Sequence, residues 1–165
     1  MEIDMSCPLC QPNGATEIWR NHRFYVIDAN HSEFPCFFRV ISCRHITEMS
    51  ELTAEERYEL WEILNTIEIE LIAKLQPIKI NLAQFGNIVP HLHWHIIARW
   101  ENDSHFPESP WGVQQRVMPA TLFAERKAQT QAIYKHLADV LTAKFGSGRG
   151  FPHRFPLPHR NLPVK

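Results

Sequence analysis

The sequence predicts a two-layer α+β domain, with an antiparallel sheet of about five strands and two main helices. Three observations favour this fold class: short segments rich in β-branched and aromatic residues, longer segments with apolar residues at helical spacing, and the order in which they follow each other. The order is strands, helix, strands and helix with short connections, which is typical of α+β folds rather than of alternating βαβ units. The chain has 165 residues, of which 44% are hydrophobic, and this suits one domain with its own core.

Three strands are expected in the first third of the chain. Glu17–Arg20 and Phe24–Asp28 are short runs with β-branched and aromatic side chains, separated by a polar turn. After a polar loop, Cys36–Ser42 is mostly apolar. A short apolar run of this kind is typical of a buried strand, so we expect Cys36–Ser42 in the centre of the sheet.

The first helix is marked by a start signal and by its period. Thr53 is followed three residues later by Glu56, the spacing of a capping box, in which the two side chains satisfy free N–H groups at a helix start. Apolar residues then recur every three or four positions up to Pro77, which cannot continue a helix. They are Leu60, Ile63, Leu64, Ile67, Leu71 and Leu75. We therefore expect one long helix that packs this side on the sheet.

Two more strands and a second helix complete the predicted fold. Ile78–Gln84 and Leu92–Arg99 are expected to be strands, and Gly86 and Pro90 mark the loop between them. Apolar residues at helical spacing predict the second helix over residues 121–144.

Charge and composition exclude some classes of partner. A formal net charge of −1 with 21% charged residues gives no field that would hold the protein on nucleic acid or on an anionic membrane. The first residues are acidic and lack an apolar signal core, and no apolar run approaches the roughly 18 residues that a spanning helix needs. We therefore expect a cytoplasmic protein. Its catalytic domain is expected over residues 1–145, followed by a basic, proline-rich tail over residues 146–165.

Three histidines alternate with apolar residues at the start of the last predicted strand, the first of them directly before it: His91, His93 and His95. Because successive side chains of a strand point to opposite faces, the imidazoles are expected on one face, about 6.5 to 7 Å apart, and Leu92 and Trp94 on the other. A lone histidine is usually a satisfied core or surface residue. Three on one face are different, because burying them side by side costs free energy unless partners or a ligand compensate.

A row of imidazoles suits phosphoryl chemistry. A neutral imidazole offers a nucleophilic nitrogen near pH 7, and a protonated one donates a hydrogen bond to a phosphate oxygen. A row can divide these duties, since one ring can attack while its neighbour stabilises charge on the nonbridging oxygens.

The histidine row resembles the His-apolar-His-apolar-His-apolar-apolar signature of the histidine triad (HIT) family of nucleotide hydrolases and transferases. The residues just upstream also fit: Gly86, Asn87 and Val89. Further details resemble a bacterial branch of the family. The resemblance implies that His93 attacks the α-phosphorus of a nucleotide, and that water or another acceptor then resolves the phosphohistidine adduct. It also implies that His95 binds the nonbridging oxygens, and it places His91 in the same catalytic set.

The resemblance implies several substrate contacts. Asn87 stands where relatives carry an amide donor to the phosphate, and Asn81 resembles an upstream asparagine near the sugar or phosphate. Asp28 resembles the acidic residue that accepts from ribose hydroxyls, and Trp111 is expected to contact the substrate or a dimer partner's site. One position departs from the pattern, because Phe37 stands where relatives often carry another active-site histidine.

Cys7 and Cys10 have the Cys-x-x-Cys spacing of zinc ligands, although two nearby cysteines are often simple thiols. A closed structural zinc site has four ligands, so two more are needed. The resemblance to zinc-bearing HIT members and to the related uridylyltransferases implies that His45 and His91 supply them. The zinc is expected to be structural, and no cofactor is expected to be required for catalysis.

The function expected from these residues is hydrolysis of a nucleoside phosphoramidate, an adenylylated conjugate or a dinucleoside polyphosphate. Two alternatives stay open. A nucleotidyltransferase would form the same His93 adduct and pass the nucleotide to an acceptor. A nucleotide-binding sensor with little turnover would fit the loss of a histidine at Phe37. The resemblance also implies a homodimer.

Overall fold

The computed structural model describes residues 6–11 and 14–148, so most of the predicted basic tail lies outside the described residues. Five strands form one antiparallel sheet in the order β1-β2-β3-β5-β4. The strands are β1 (Thr16–Arg20), β2 (Phe24–Asp28), β3 (Phe37–Ser42), β4 (Lys79–Ala83) and β5 (His93–Arg99). The helices are α1 (Ala54–Leu75), α2 (Ala120–Ala132) and α3 (Tyr134–Phe145). The α+β class and the five-stranded antiparallel sheet are confirmed.

Helix α1 begins with the predicted capping box. The hydroxyl of Thr53 accepts a hydrogen bond from the backbone N–H of Glu56 at 3.2 Å, and the Glu56 carboxylate accepts one from the Thr53 N–H at 2.8 Å. The helix ends at Gln76, which adopts a left-handed conformation with φ of 47°, directly before Pro77. Both ends therefore follow from local sequence signals.

The second helical stretch is divided, where the sequence predicts one helix over residues 121–144. The N–H of Ile133 reaches the carbonyl of Thr130 at 3.3 Å, a tighter turn than the α-helix, and α3 starts anew at Tyr134. In α3, Leu137 and Leu141 are fully buried. The break therefore separates α2 from α3, which packs on β1 and α1.

One face of the sheet carries the main core. Directly paired residues share a face, and the pairs Phe38–Ile96 and Val26–Val40 lie on the face that packs against α1. From the helix, this core receives Leu60, Ile63, Leu64, Ile67 and Leu71, all with an exposed fraction of 1% or less. Each buried side chain of this size contributes about 1.5 to 3 kcal/mol, so this layer holds α1 on the sheet.

The opposite face is covered by loops instead of helices. The short N-terminal segment packs there on β2 and β3, where Cys7 and Leu9 form a small apolar cluster with Tyr25 and Ile41. No helix of the described chain is both long and apolar enough to cross a membrane. The histidines lie on this second face, because His93 pairs with Ile41.

Candidate active site

His93 and His95 lie side by side on the loop-covered face of β5. Their ring centroids are 4.8 Å apart, and each side chain is 6% exposed. The Nδ1 of His93 is 2.6 Å from the carbonyl oxygen of His91. Because a carbonyl can only accept, Nδ1 must be the protonated nitrogen, and Nε2 of a neutral ring keeps its lone pair.

The environment favours the neutral form of both rings. Burial lowers the pKa of His93; the bond to the His91 carbonyl opposes this shift, and the charge of Arg39 adds to it. Burial, with His93 and Arg39 nearby, lowers the pKa of His95 to about 3. A neutral His93 is the form that can act as a nucleophile.

Aromatic rings surround His95. Its ring centroid lies 5.1 Å from that of Trp111, 5.4 Å from that of Phe37 and 6.4 Å from that of Phe85. The Nδ1 of His95 is buried and has no hydrogen-bond partner in the described part of the chain. Because buried polar atoms are normally paired, this nitrogen marks a place where a ligand atom could bind.

Trp111, predicted as a substrate contact, lies beside the histidines and is 48% exposed. It packs edge-on against Phe85, which is 51% exposed, with ring centroids 4.7 Å apart. The pair offers an apolar surface next to His95. Phe85 could not be predicted from the sequence, since a single aromatic residue in a loop carries no motif.

Asn81 shares the histidine face, because it pairs with Ile97 two residues after His95. Its side-chain oxygen accepts a hydrogen bond of 2.7 Å from Arg99. Arg99 is buried and forms a bidentate ion pair with Asp103, at 2.7 and 3.1 Å. This network fixes Asn81 with its oxygen bonded and its amide hydrogens left to donate.

Two other predicted substrate contacts, Asn87 and Asp28, do not share the histidine face of the sheet as Asn81 does. Asn87 is exposed in the loop between β4 and β5, next to Gly86, whose φ of 70° suits glycine. Asp28 pairs with Phe38 and therefore lies on the opposite, helix-covered face. Its buried carboxylate accepts a 2.6 Å hydrogen bond from Lys127 and another from the Tyr134 hydroxyl. Asp28 therefore lies outside the candidate site.

The four predicted metal ligands meet beside the row. The ligand atoms of Cys7, Cys10, His45 and His91 all lie within 4.8 Å of one another. The Nδ1 of His45 is 3.2 Å from the sulfur of Cys10, and the Nδ1 of His91 is 3.4 Å from that of Cys7. Two thiols and two imidazoles at such distances are a donor set that fits tetrahedral zinc.

His91 differs from the other two histidines in its orientation. Its Nε2 donates to the carbonyl oxygen of Ser42 at 2.8 Å, which leaves Nδ1 unprotonated and directed at the thiols. A backbone carbonyl on the outer nitrogen is a common arrangement around metal-binding histidines. With both ring nitrogens engaged, His91 contacts His93 through its own carbonyl oxygen. The row therefore divides into the neighbouring rings of His93 and His95 and the ring of His91, which lies against the cysteines.

Comparisons with known proteins identify the family to which the chain belongs. The sequence matches the HIT domain family over residues 13–102, more than half of the chain, and the chain belongs to that family. This supports a nucleotide hydrolase or transferase as its general class and confirms the predicted family. No curated protein matches the sequence.

Solved structures of bacterial HIT proteins share the fold. A histidine triad protein from Bradyrhizobium japonicum has a TM-score of 0.58 at 24% identity, over 72% of this chain and 89% of the other. One from Marinobacter aquaeolei has a TM-score of 0.59 at 25% identity, over 75% and 91%. A zinc-bound histidine triad family protein from Mycobacterium smegmatis has a TM-score of 0.59 at 19% identity, over 85% and 99%.

Proposed function

We propose that this protein hydrolyses nucleoside phosphoramidates, adenylylated conjugates or dinucleoside polyphosphates through a covalent nucleotidyl intermediate on His93. One observation carries the proposal: the Nδ1–H of His93 is bonded to the His91 carbonyl, so that the Nε2 lone pair is free for attack. His95 lies beside it on the same face with an unpartnered nitrogen. Membership of the HIT domain family supports the same reaction class.

In the first step, Nε2 of His93 attacks the α-phosphorus. A nitrogen–phosphorus bond forms, and the bond between phosphorus and the leaving group breaks with its electron pair going to the leaving atom. In the second step, water attacks the same phosphorus, the nitrogen–phosphorus bond breaks and His93 is regenerated. The two steps add one water molecule across the cleaved bond and release a nucleoside monophosphate and the protonated leaving group.

Neighbouring residues would hold the substrate during these steps. The protonated ring nitrogen of a neutral His95 can donate to a nonbridging phosphate oxygen, where negative charge concentrates in the transition state. The exposed rings of Trp111 and Phe85 offer a stacking surface for the base. The amide groups of Asn81 and Asn87 are the proposed polar contacts to the sugar and phosphate.

We also propose that Cys7, Cys10, His45 and His91 hold a structural zinc ion. A zinc ion bound there would tie the N-terminal segment to the sheet next to the catalytic strand. The proposed reaction needs no cofactor, because His93 supplies the nucleophile and His95 the charge stabilisation.

A homodimer is proposed from the family resemblance and is supported by the outer side of α1. Apolar side chains recur there at helical spacing, with exposed fractions from 48% to 70%: Tyr58, Trp61, Ile69 and Ile72. Strand β4, which follows α1 along the chain, is an edge of the sheet, and its neighbour Ile78 is 51% exposed. Several exposed apolar side chains on one side of a helix are typical of a protein interface.

The proposed function is tested by monitoring the release of AMP from adenosine phosphoramidate by chromatography. The wild-type protein should release AMP, and His93→Ala should slow release by more than roughly 1,000-fold, as loss of a nucleophile does in other enzymes. His136→Ala is the matched control, because His136 bonds to Glu70 on the helices, away from the site.

Other outcomes separate the alternatives. AMP release by His93→Ala at the wild-type rate would contradict the proposal. An adduct that passes its nucleotide to an acceptor without AMP release would indicate a transferase. Nucleotide binding without any adduct would indicate a sensor.

A further inference from the structure

Arg39 lies beside the candidate active site, where its charge lowers the pKa values of His93 and His95, but the steps above assign it no contact with the substrate. It is the cross-strand neighbour of His95 in the pairing of β3 with β5, so the two side chains share a face. Directly opposed residues of an antiparallel pair have Cβ atoms about 4.5 to 5.5 Å apart. Any ligand that binds His95 is therefore within reach of a long side chain at position 39.

The guanidinium of Arg39 differs from those of the other described arginines. Its Nε is buried and has no hydrogen-bond partner within residues 6–11 and 14–148, and the described chain offers it no ion pair. The guanidinium carbon lies 5.9 Å from the centroid of the Phe37 ring, which is a weak contact. Side-chain hydrogen bonds are made by Arg20, Arg23, Arg44, Arg57, Arg99, Arg116 and Arg126.

A half-buried cation without an anionic partner is unfavourable in the free protein. Burial disfavours its charged form and lowers the pKa of Arg39 below its ordinary value. An anionic ligand that reaches the guanidinium would offset this cost, because bonds between two charged groups are the strong ones.

The position of Arg39 indicates which part of a nucleotide it would meet. His95 is flanked by Arg39 on β3 and by Ala83 on β4. Neighbouring strands are about 4.8 Å apart, so the backbone of Arg39 lies one strand away from that of His95, the proposed donor to the α-phosphate. A guanidinium binds two phosphate oxygens in a planar fork. A second phosphate attached to the first matches this geometry.

We propose that Arg39 binds the phosphate next to the α-phosphate, so that the site prefers substrates with a phosphorylated leaving group, such as dinucleoside polyphosphates. This inference rests on the proposed function and narrows its substrate class. A phosphoramidate whose leaving group is an amine presents no second phosphate and gains nothing from Arg39.

For diadenosine triphosphate, the reaction can be written in full. Nε2 of His93 bonds to the α-phosphorus, and the bond to the bridging oxygen breaks with its electron pair staying on ADP. Arg39 stabilises the negative charge that develops on ADP, which leaves. Water then releases AMP from His93, so that the products are AMP and ADP.

The test compares kcat/KM for diadenosine triphosphate and for adenosine phosphoramidate. Arg39→Gln should lower kcat/KM for the triphosphate by roughly 10- to 100-fold, the size of one hydrogen-bonded charged contact, and change it little for the phosphoramidate. Arg39→Lys should fall between, because lysine keeps the charge and loses the fork. Turnover of the phosphoramidate shows that each variant is folded. Arg23→Gln, which loses an ion pair to Glu59 away from the site, is the matched control.

If Arg39→Gln lowers kcat/KM equally for both substrates, or does not lower it for the triphosphate, the proposed role of Arg39 is overturned. If the wild-type protein releases AMP from neither substrate, the proposed function fails and binding decides the inference instead. In titrations with ADP and AMP, Arg39→Gln should then weaken ADP binding more than AMP binding. Equal weakening, or none, would overturn the inference separately from the reaction.

Discussion

His91, His93 and His95 differ in which of their ring nitrogens are already bonded. His91 has a carbonyl on one nitrogen and thiols at the other, and His93 has a carbonyl on one nitrogen and Nε2 free. His95 has a buried nitrogen without a partner in the described chain. Three identical side chains in one short segment thus differ in the chemistry open to them, and we propose them as metal ligand, nucleophile and phosphate donor, respectively.

The buried pair of Arg99 and Asp103 is bonded to the backbone of residues 105, 106 and 108, just before Trp111. Breaking this pair should lower the free energy of unfolding measurably at neutral pH. The two side chains are 2% and 1% exposed. Asp103→Asn should lower the free energy of unfolding by about 3 to 5 kcal/mol, because it leaves a buried guanidinium without its charge partner. The control Asp139→Asn breaks an exposed pair of the same i,i+4 spacing with Lys135 and should cost less than about 1 kcal/mol.

The same pair predicts a pH dependence with a defined sign. Burial alone would raise the pKa of Asp103, but bonds from Arg99 and from two backbone N–H groups outweigh it and lower the pKa from 3.8. Because the pKa of Asp103 is lower in the folded protein than in the unfolded chain, the carboxylate stabilises the fold at pH values above the unfolded pKa. This stabilisation is lost as the pH falls through the folded pKa. Denaturant unfolding should therefore show that the difference in free energy of unfolding between wild type and Asp103→Asn narrows below about pH 4. A difference that stayed constant down to pH 2 would contradict the lowered pKa of Asp103.

Residues with a repeated pattern could be predicted from the sequence, and isolated ones could not. The alternation of His91, His93 and His95 predicted that they lie together in one extended segment, and the Cys-x-x-Cys spacing indicated metal ligands. Arg39 was missed, because its place beside His95 depends on the pairing of two strands that are far apart in the sequence. The placement of Asp28 at the site came from resemblance, whereas the alternation along β2 puts it with Val26 on the helix face.

Among the elements, β5 and the N-terminal segment carry most residues of the proposed catalytic and metal sites. The segment packs on the open face of β2 and β3, and its cysteines meet His91 just before β5 begins. The strands and α1 follow from β-branched runs and the capping box. The break between α2 and α3 could not be predicted, since Ile133 has no adjacent glycine or proline to signal it.

The proposed zinc should stabilise this part of the fold. We expect one zinc ion per chain by elemental analysis, and removal by a chelator should lower the thermal midpoint, because a ligand that binds the folded state stabilises it. Cys10→Ser should lose the zinc, whereas Cys43→Ser should keep it, since Cys43 lies outside the cluster. A protein that binds no zinc from excess metal would remove the four-ligand proposal. AMP release should survive zinc depletion of the folded protein.

At the scale of the whole molecule, the sheet has two different covers. Helices close one face, and loops and a short segment leave the histidines of the other face within reach of a small ligand. The outer side of α1 adds a third surface, which carries exposed apolar residues. The helix-covered face holds the main core, whereas the proposed chemistry and the proposed association use the other two surfaces.

The proposed dimer predicts the effect of a charge on α1. Ile69→Glu places a carboxylate within the exposed apolar stripe, and sedimentation should change from the mass of two chains to that of one. Val117→Glu is the control, because Val117 is 82% exposed in a loop away from the stripe. A wild-type protein that sediments as one chain at all concentrations would contradict the dimer.

The covalent step on His93 is tested most directly by trapping it. Wild-type protein mixed with adenosine phosphoramidate and quenched during turnover should carry an added adenylyl mass, and digestion should place this mass on His93. His93→Ala should carry none. Turnover with no adduct, or with an adduct on another residue, would contradict the central claim.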